Sequence, residues 1–301
     1  MDLSETEIKS KVLKGLFWKI LENGGAQGIQ FVIAIILARL LSPAEYGLVS
    51  IIMIFITIAN VVVQNGFSTA LVQKKHSDDT DFSSVFYFSL AIAAVMYAAL
   101  YASAPSIAGF YHNDVLVPIV RVLAVVLFPG AVISVQTAYV SRKMEFKGLF
   151  KATMVAVVIS GAASILMALR GMGVWAMVGQ QIAYYLALMT TLFMTVSWKP
   201  RLVFAMGRIS AMFSFGWKLL LAALLDTLFN NLYGLIMGKI YNEELLGAYN
   251  RGDQFPKLIV NNLGAAIQAV LLPAFSSRQG DVAQVRSMVR RAIRTSSFLV
   301  L

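Results

Sequence analysis

Four polar faces interrupt stretches that are otherwise apolar. Lys19, Asn23, Ala26 and Gln30 are spaced by four, three and four residues, which on an α-helix aligns them on one face, with Glu22 and Gln27 beside it. Thr57, Asn60, Gln64 and Ser68 repeat the pattern, as do Lys218, Asp226 and Asn230, and then Lys257, Asn261, Ala265 and Gln268. Arg121 stands alone within a further apolar stretch, the fourth along the chain. A cation at the centre of a membrane-embedded helix costs about 2.5–3.5 kcal/mol, so these faces are expected to turn towards water. Two structural alternatives stay open: the lysines near helix ends snorkel to the interface, and the amides hold neighbouring helices together. Lys19 and Lys218 each follow a tryptophan and would put two cations at one mouth of a path, which suits a diphosphate. Glu22 and Asp226 are the acids well inside apolar stretches, and each could be a proton site or half of a buried pair.

The elements that must position these groups are set by composition. Of 301 residues, 58% are hydrophobic and 13% charged, about half the charge of soluble domains, which excludes a soluble globular enzyme. The chain is expected to be all-α and polytopic. Eight stretches are long enough to cross a bilayer, at 15–38, 47–72, 83–104, 115–140, 148–169, 174–196, 213–238 and 254–276. A ninth opens near Met288 and is cut short, as in a C-terminally truncated fragment. The N-terminus lacks a small-residue cleavage site and is expected to stay attached. There is no cysteine, which removes thiol nucleophiles, disulfides and thiolate zinc sites.

Alternate loops differ sharply in Lys and Arg. Lys9, Lys11 and Lys14 precede the first stretch, Lys74 and Lys75 the third, and Arg142, Lys143, Lys147 and Lys151 the fifth, whereas the intervening loops carry few. Basic segments stay on the cytoplasmic side, so the N-terminus is expected there. The net charge of +10 is then a matter of topology and of attraction to anionic membrane lipids, not of nucleic-acid binding. Residues 197–212 form a basic, amphipathic linker expected to lie along the inner headgroups, between a six-helix lobe at 15–196 and a partial lobe at 213–301; 1–14 form a cytoplasmic segment. Pro118 and Pro129-Gly130 should bend the fourth stretch, and Pro256 and Pro273 the eighth.

An internal repeat supports the two lobes. Trp18-Lys19 matches Trp217-Lys218, and Arg39 and Gly47 match Lys239 and Gly247, about 200 residues apart with one residue of slippage. The copies open on the first and seventh stretches, an even offset of six, so both enter the membrane in the same direction. Asp81 reads as an N-cap within "HSDDTDF", and Gly24 and Gly28 as a close-packing pair. No hydrolase elbow, phosphate-cradling loop or metalloprotease motif is present, and no cofactor or metal is implied.

The segments "GLFWKI", "LARLLSPAEYGLVS", "NGFSTALVQKK", "SRKMEFKG", "LLGAYNRGDQF" and "LLPAFSSRQGD", in this order, resemble the Wzx-type polysaccharide flippases, most of all the colanic-acid and teichuronic-acid exporter type. That superfamily also holds the MATE drug exporters. The resemblance implies a bacterial inner-membrane transporter, not an enzyme, that carries an undecaprenyl-diphosphate-linked oligosaccharide to the outer leaflet by alternating access. By position, Lys19, Arg121 and Lys218 would contact the diphosphate, Glu22 and Asp226 would couple an ion, and Asn23, Gln27, Gln30, Asn60, Gln64, Asn230, Lys257, Asn261 and Gln268 would line the cavity. A polysaccharide polymerase and a chain-length regulator are the partner proteins implied, beside the lipid-linked substrate. The competing readings are a MATE-like ion-coupled drug exporter and a polytopic polymerase or glycosyltransferase.

Overall fold

The computed structural model of the chain describes residues 5–74, 77–143, 145–253 and Arg290. Lys257, Asn261, Ala265, Gln268, Pro256, Pro273 and the ninth stretch lie outside the described residues. No strand occurs among those described. The helices are α1 (Glu5–Leu40), α2 (Pro43–Gln73), α3 (Asp79–Tyr111), α4 (Leu116–Leu123), α5 (Leu127–Lys143), α6 (Phe146–Leu169), α7 (Val174–Thr195) and α8 (Met206–Ile240), with a further helical stretch at 243–253. Two compact units divide the chain at 248/249. Helices α1 to α8 all belong to the first; of the second, 249–253 and Arg290 are described, and they are helical.

Among the described residues, six segments are long and apolar enough to cross a membrane: Phe17–Leu40, Pro43–Gln64, Asp79–Tyr111, Leu116–Lys143, Phe146–Leu169 and Gly216–Ile240. Helix α7 matches the sixth expected stretch and has 22 residues, about 33 Å at 1.5 Å per residue. Its Gln180, Gln181, Tyr184, Tyr185 and threonines keep it below the same apolar threshold.

The bend expected in the fourth stretch is present. Residues Ala124–Val126 tighten into a 3-10 turn between α4 and α5. Pro129 explains it: the proline has no N–H to give the carbonyl of residue 125, and its ring crowds that carbonyl.

The core is built by pairs. Helix α1 packs on α6, α6 on α7, and α2 on α8 and α5, while α3 packs on α4 and α5. Ile51, Ile52, Ile56, Leu116, Ile119, Leu123 and Leu127 are fully buried where α2 meets α4 and α5. Burying such side chains contributes about 1.5–3 kcal/mol each relative to exposure in water. Along α1 the buried residues include Glu22, Ala26, Ile33 and Leu37, a stripe of helical period that faces α6. Gly161 of α6 lets it come close, since a Cβ there would overlap Ile33. A Cβ added at Gly24 or Gly28 would meet nothing within 4 Å among the described residues, so the close contact of α1 with α6 is made at Gly161 and not at the expected pair.

Two ends can be distinguished. One carries the basic segments; the other carries the short connections at 41–42, 112–115, 170–173 and 241–242. The α6–α7 turn at the short-loop end needs Gly171 and Gly173, whose φ values of 72° and 55° suit glycine.

Candidate functional site

Lys19 and Lys218 lie at matching depth. Lys19 precedes the end of α1 by 21 residues and Lys218 precedes the end of α8 by 22, about 32 Å from the short-loop end in each case. Their helices pack on different neighbours, α1 on α6 and α8 on α2. Arg121 is five residues into α4 and therefore near the opposite end. Its guanidinium sits 4.2 Å from the Tyr101 ring centre, and its Nε donates to the Tyr101 carbonyl at 3.5 Å. Arg121 and the lysine pair are thus not brought together.

Glu22 is half of a pair. Lys19 Nζ donates to Glu22 Oε2 at 2.8 Å, and Thr153 Oγ1 of α6 donates to Glu22 Oε1 at 3.1 Å. The carboxylate is buried in the α1–α6 interface, while the lysine stays partly exposed. Sequence reasoning left Thr153 out, because a lone threonine in an apolar stretch carries no distinguishing pattern.

The polar residues of α1 do not all share one face. Asn23 and Gln30 are exposed and Gln27 half-buried, and at about 100° per residue they lie roughly a quarter-turn from the stripe that packs on α6. They also lie apart from the exposed apolar residues Phe17, Leu21, Val32 and Ile35. On α8, Lys218, Asp226 and Asn230 are exposed. Lys218 occupies the side away from Gly234 and Gly238, which abut Ile54 and Ile51 of α2, and Asp226 lies about a quarter-turn from Gly234.

Asn60 and Gln64 are engaged with their neighbours. Gln64 Nε2 donates to Asn60 Oδ1 at 2.9 Å, and Asn60 Nδ2 donates to the Tyr185 hydroxyl of α7 at 3.3 Å. Gly130 of α5 makes room for both amides, since a Cβ there would stand 2.9 Å from each. This polar node ties α2, α5 and α7 together at the bend, so for these two amides the structure shows interhelical contacts. Gln136, six residues further along α5, is fully buried and its amide has no hydrogen-bond partner among the described residues.

At the basic end the linker is clamped. Trp198 is buried against Phe82, Phe86 and Tyr139. The N–H groups of Arg201 and Ala205 donate to the Ser83 and Ser84 hydroxyls, each at 3.0 Å. Arg208 Nη1 reaches Asp78 at 2.5 Å and Asp81 at 3.2 Å, Lys74 reaches Asp81 at 2.7 Å, and Arg201 reaches Asp79 at 2.9 Å. The N-cap is Asp78, not Asp81 as expected. Asp81 is the third helical residue, whose carboxylate returns to the Asp78 N–H in a capping box. Leu202, Val203, Phe204 and Met206 remain exposed beside these cations.

The hydrogen bond from Arg208 and that from the Asp81 N–H hold the Asp78 carboxyl below its ordinary value of 3.8. A lowered folded-state value means stability that is present above pH 3.8 and is lost as pH falls through the folded value. Trp198 emission should therefore stay constant down to about pH 3.8 and shift to the red below it. A shift centred near pH 6 would contradict this assignment.

A family model described as polysaccharide biosynthesis protein matches residues 36–301. The succinoglycan biosynthesis transport protein ExoT of Rhizobium meliloti is 24% identical over 90% of this chain and 55% of its own length. The teichuronic acid biosynthesis protein TuaB of Bacillus subtilis is 26% identical over 93% and 58%, and the lipopolysaccharide biosynthesis protein WzxC of Escherichia coli 22% over 93% and 57%. The chain thus spans just over half the length of these curated relatives. A multidrug resistance MATE family transporter of the MOP superfamily, solved in an inward-facing conformation, aligns with a TM-score of 0.59 and 16% identity, over 93% of this chain and 68% of that one. With these matches and the apolar helices, the protein is a multi-pass membrane protein with the fold of that superfamily. The chain belongs to the polysaccharide biosynthesis protein family, as the resemblance to the Wzx-type flippases led us to expect.

Proposed function

We propose that this chain forms part of a flippase that carries a lipid-linked oligosaccharide, joined through a diphosphate, from the cytoplasmic to the outer leaflet. The observation that carries the reading is the pair Lys19 and Lys218, equal in depth and set on helices that pack against different partners. Cations held apart at one level of a membrane protein suit a diphosphate, whose charge they share, while the lipid tail stays in the bilayer. Glu22 holds the Lys19 ammonium in place through their 2.8 Å hydrogen bond. Asn23, Gln30, Asp226 and Asn230, all exposed, are assigned to the cavity wall, with Asp226 as the ion-coupling acid. The short-loop end is the outer one in this reading and is closed, because the start of α2 and the helical stretch from 243 meet there backbone to backbone at Gly47 and Gly247.

The test is reconstitution of the full-length protein in proteoliposomes with a fluorescent lipid-linked oligosaccharide. Lys19→Gln with Lys218→Gln should slow translocation by about tenfold or more, the effect of losing one or two charge-assisted hydrogen bonds of about 1.5–3 kcal/mol each. Unchanged translocation would sink the proposal.

The MATE-like fold gives a drug exporter as second reading, and Asp226, exposed on α8, is the group a cationic drug would use. Resistance to cationic drugs that depends on Asp226, without any defect in polysaccharide export, would favour it.

A further inference from the structure

A second cluster of cations lies away from the proposed path, on the outside of the α1–α6 seam at the basic end. Lys14, Lys147 and Lys151 are exposed, and none of them forms an ion pair among the described residues. The acids close by in sequence are Glu145, also exposed, and Glu5 and Glu7 in the first turns of α1. Between the two helices Trp18 stacks on Phe150, ring centres 5.3 Å apart, and Lys147 Nζ is 5.7 Å from the Trp18 ring centre.

Helical register shows which way the cluster faces. Lys14 precedes Leu21 by seven residues and Val32 by eighteen, and Lys151 precedes Val158 by seven; both intervals return to one helix face. Leu21, Val32 and Val158 are exposed apolar residues on membrane-spanning segments, the kind that lipid covers. The lysines therefore stand at the foot of two lipid-facing stripes, at headgroup depth, with aromatic rings just above them. Lys19 is different: it sits over the α6-facing side and is neutralised by Glu22.

We propose that this seam binds the phosphate headgroup of an anionic phospholipid from the leaflet at the basic end, with Trp18 and Phe150 against the upper part of its chains. Charge decides the occupant. A zwitterionic headgroup would bring an ammonium beside three uncompensated lysines, whereas an anionic one brings only the complementary charge. The proposal concerns the surrounding membrane and stands or falls independently of the cargo.

The experiment places the full-length protein in nanodiscs of phosphatidylcholine containing either dibrominated phosphatidylglycerol or dibrominated phosphatidylcholine at equal mole fraction. Trp18 quenching is taken as the difference between the wild type and Trp18→Phe. Each lysine near an anionic surface is worth about fivefold in binding, so with three lysines phosphatidylglycerol should quench Trp18 well over tenfold more effectively. That preference should fall to about fivefold, the share of Lys14, in Lys147→Gln with Lys151→Gln, and below about twofold in about 1 M salt. Equal quenching by the two lipids, or a preference untouched by the double substitution, overturns the proposal. Displacement of phosphatidylglycerol by a much smaller amount of a prenyl diphosphate also overturns it, by giving the seam to the cargo lipid. Native mass spectrometry provides a measurement without Trp18→Phe: the wild type should retain more phosphatidylglycerol than the double-Gln protein, and equal retention refutes the site.

Discussion

Alanine at Gly47 or Gly247 should destabilise the protein by about 3 kcal/mol or more, while alanine at Gly24 should be neutral or stabilising by up to about 1 kcal/mol. The difference is in what a methyl group meets. At Gly47 an added Cβ would overlap the backbone of Glu243, and at Gly247 it would overlap the backbone of Pro43. A side-chain tip can rotate away, but a carbonyl within a helix cannot, so the helices themselves must separate. Gly24 has nothing within 4 Å, and replacing a mid-helix glycine then mainly removes freedom from the unfolded chain. Thermal unfolding of the three variants in one detergent measures the contrast. Equal melting temperatures for Gly47→Ala and Gly24→Ala would show that the helices do not cross here. In proteoliposomes the same substitution should raise labelling of a cysteine placed at Ser42, as the short-loop end loosens.

The second large effect is expected at the clamp. Asp81 is 1% exposed and answers to two cations, Lys74 and Arg208. Replacing either with methionine leaves the other in place and should cost about 1 kcal/mol. Replacing both leaves a buried carboxylate without a counter-charge, for which about 3–5 kcal/mol is expected, well beyond the sum of the singles. Adding Asp81→Asn to the double variant should recover most of the loss, because the uncompensated charge disappears with the proton-like amide. Thermal unfolding followed by Trp198 emission would report it. Additive single effects with no rescue would mean that Asp81 is solvated.

How far the sequence could be read depends on what each residue's pattern encodes. Long apolar stretches gave α1 to α3, α5, α6 and α8 directly, because a bilayer's thickness fixes their length. Pro129 announced the break between α4 and α5, because a missing N–H acts on a known carbonyl. The Wzx-type family was legible in loop segments such as "LARLLSPAEYGLVS", and the matching family model bears this out. The polar stripes were less transparent. Helical spacing showed that Asn60 and Gln64 share a face, but spacing on one helix cannot tell which neighbour that face meets; Tyr185, 125 residues away, decided it. Lys19 and Glu22 could be seen as partners at three residues' separation, whereas Thr153 could not. The clamp was hidden for the same reason: Asp81 looked like a cap and Arg208 like a topological charge, and only the path of the linker brings them together.

The two glycine contacts are images of one another. Gly47 faces residue 243 and Gly247 faces residue 43, so a rotation that exchanges the matching segments exchanges the two contacts as well. A displacement that lifts one segment from the other therefore strains both contacts equally, and neither can be kept while the other is surrendered. Such a latch releases in a single concerted event with no half-fastened intermediate.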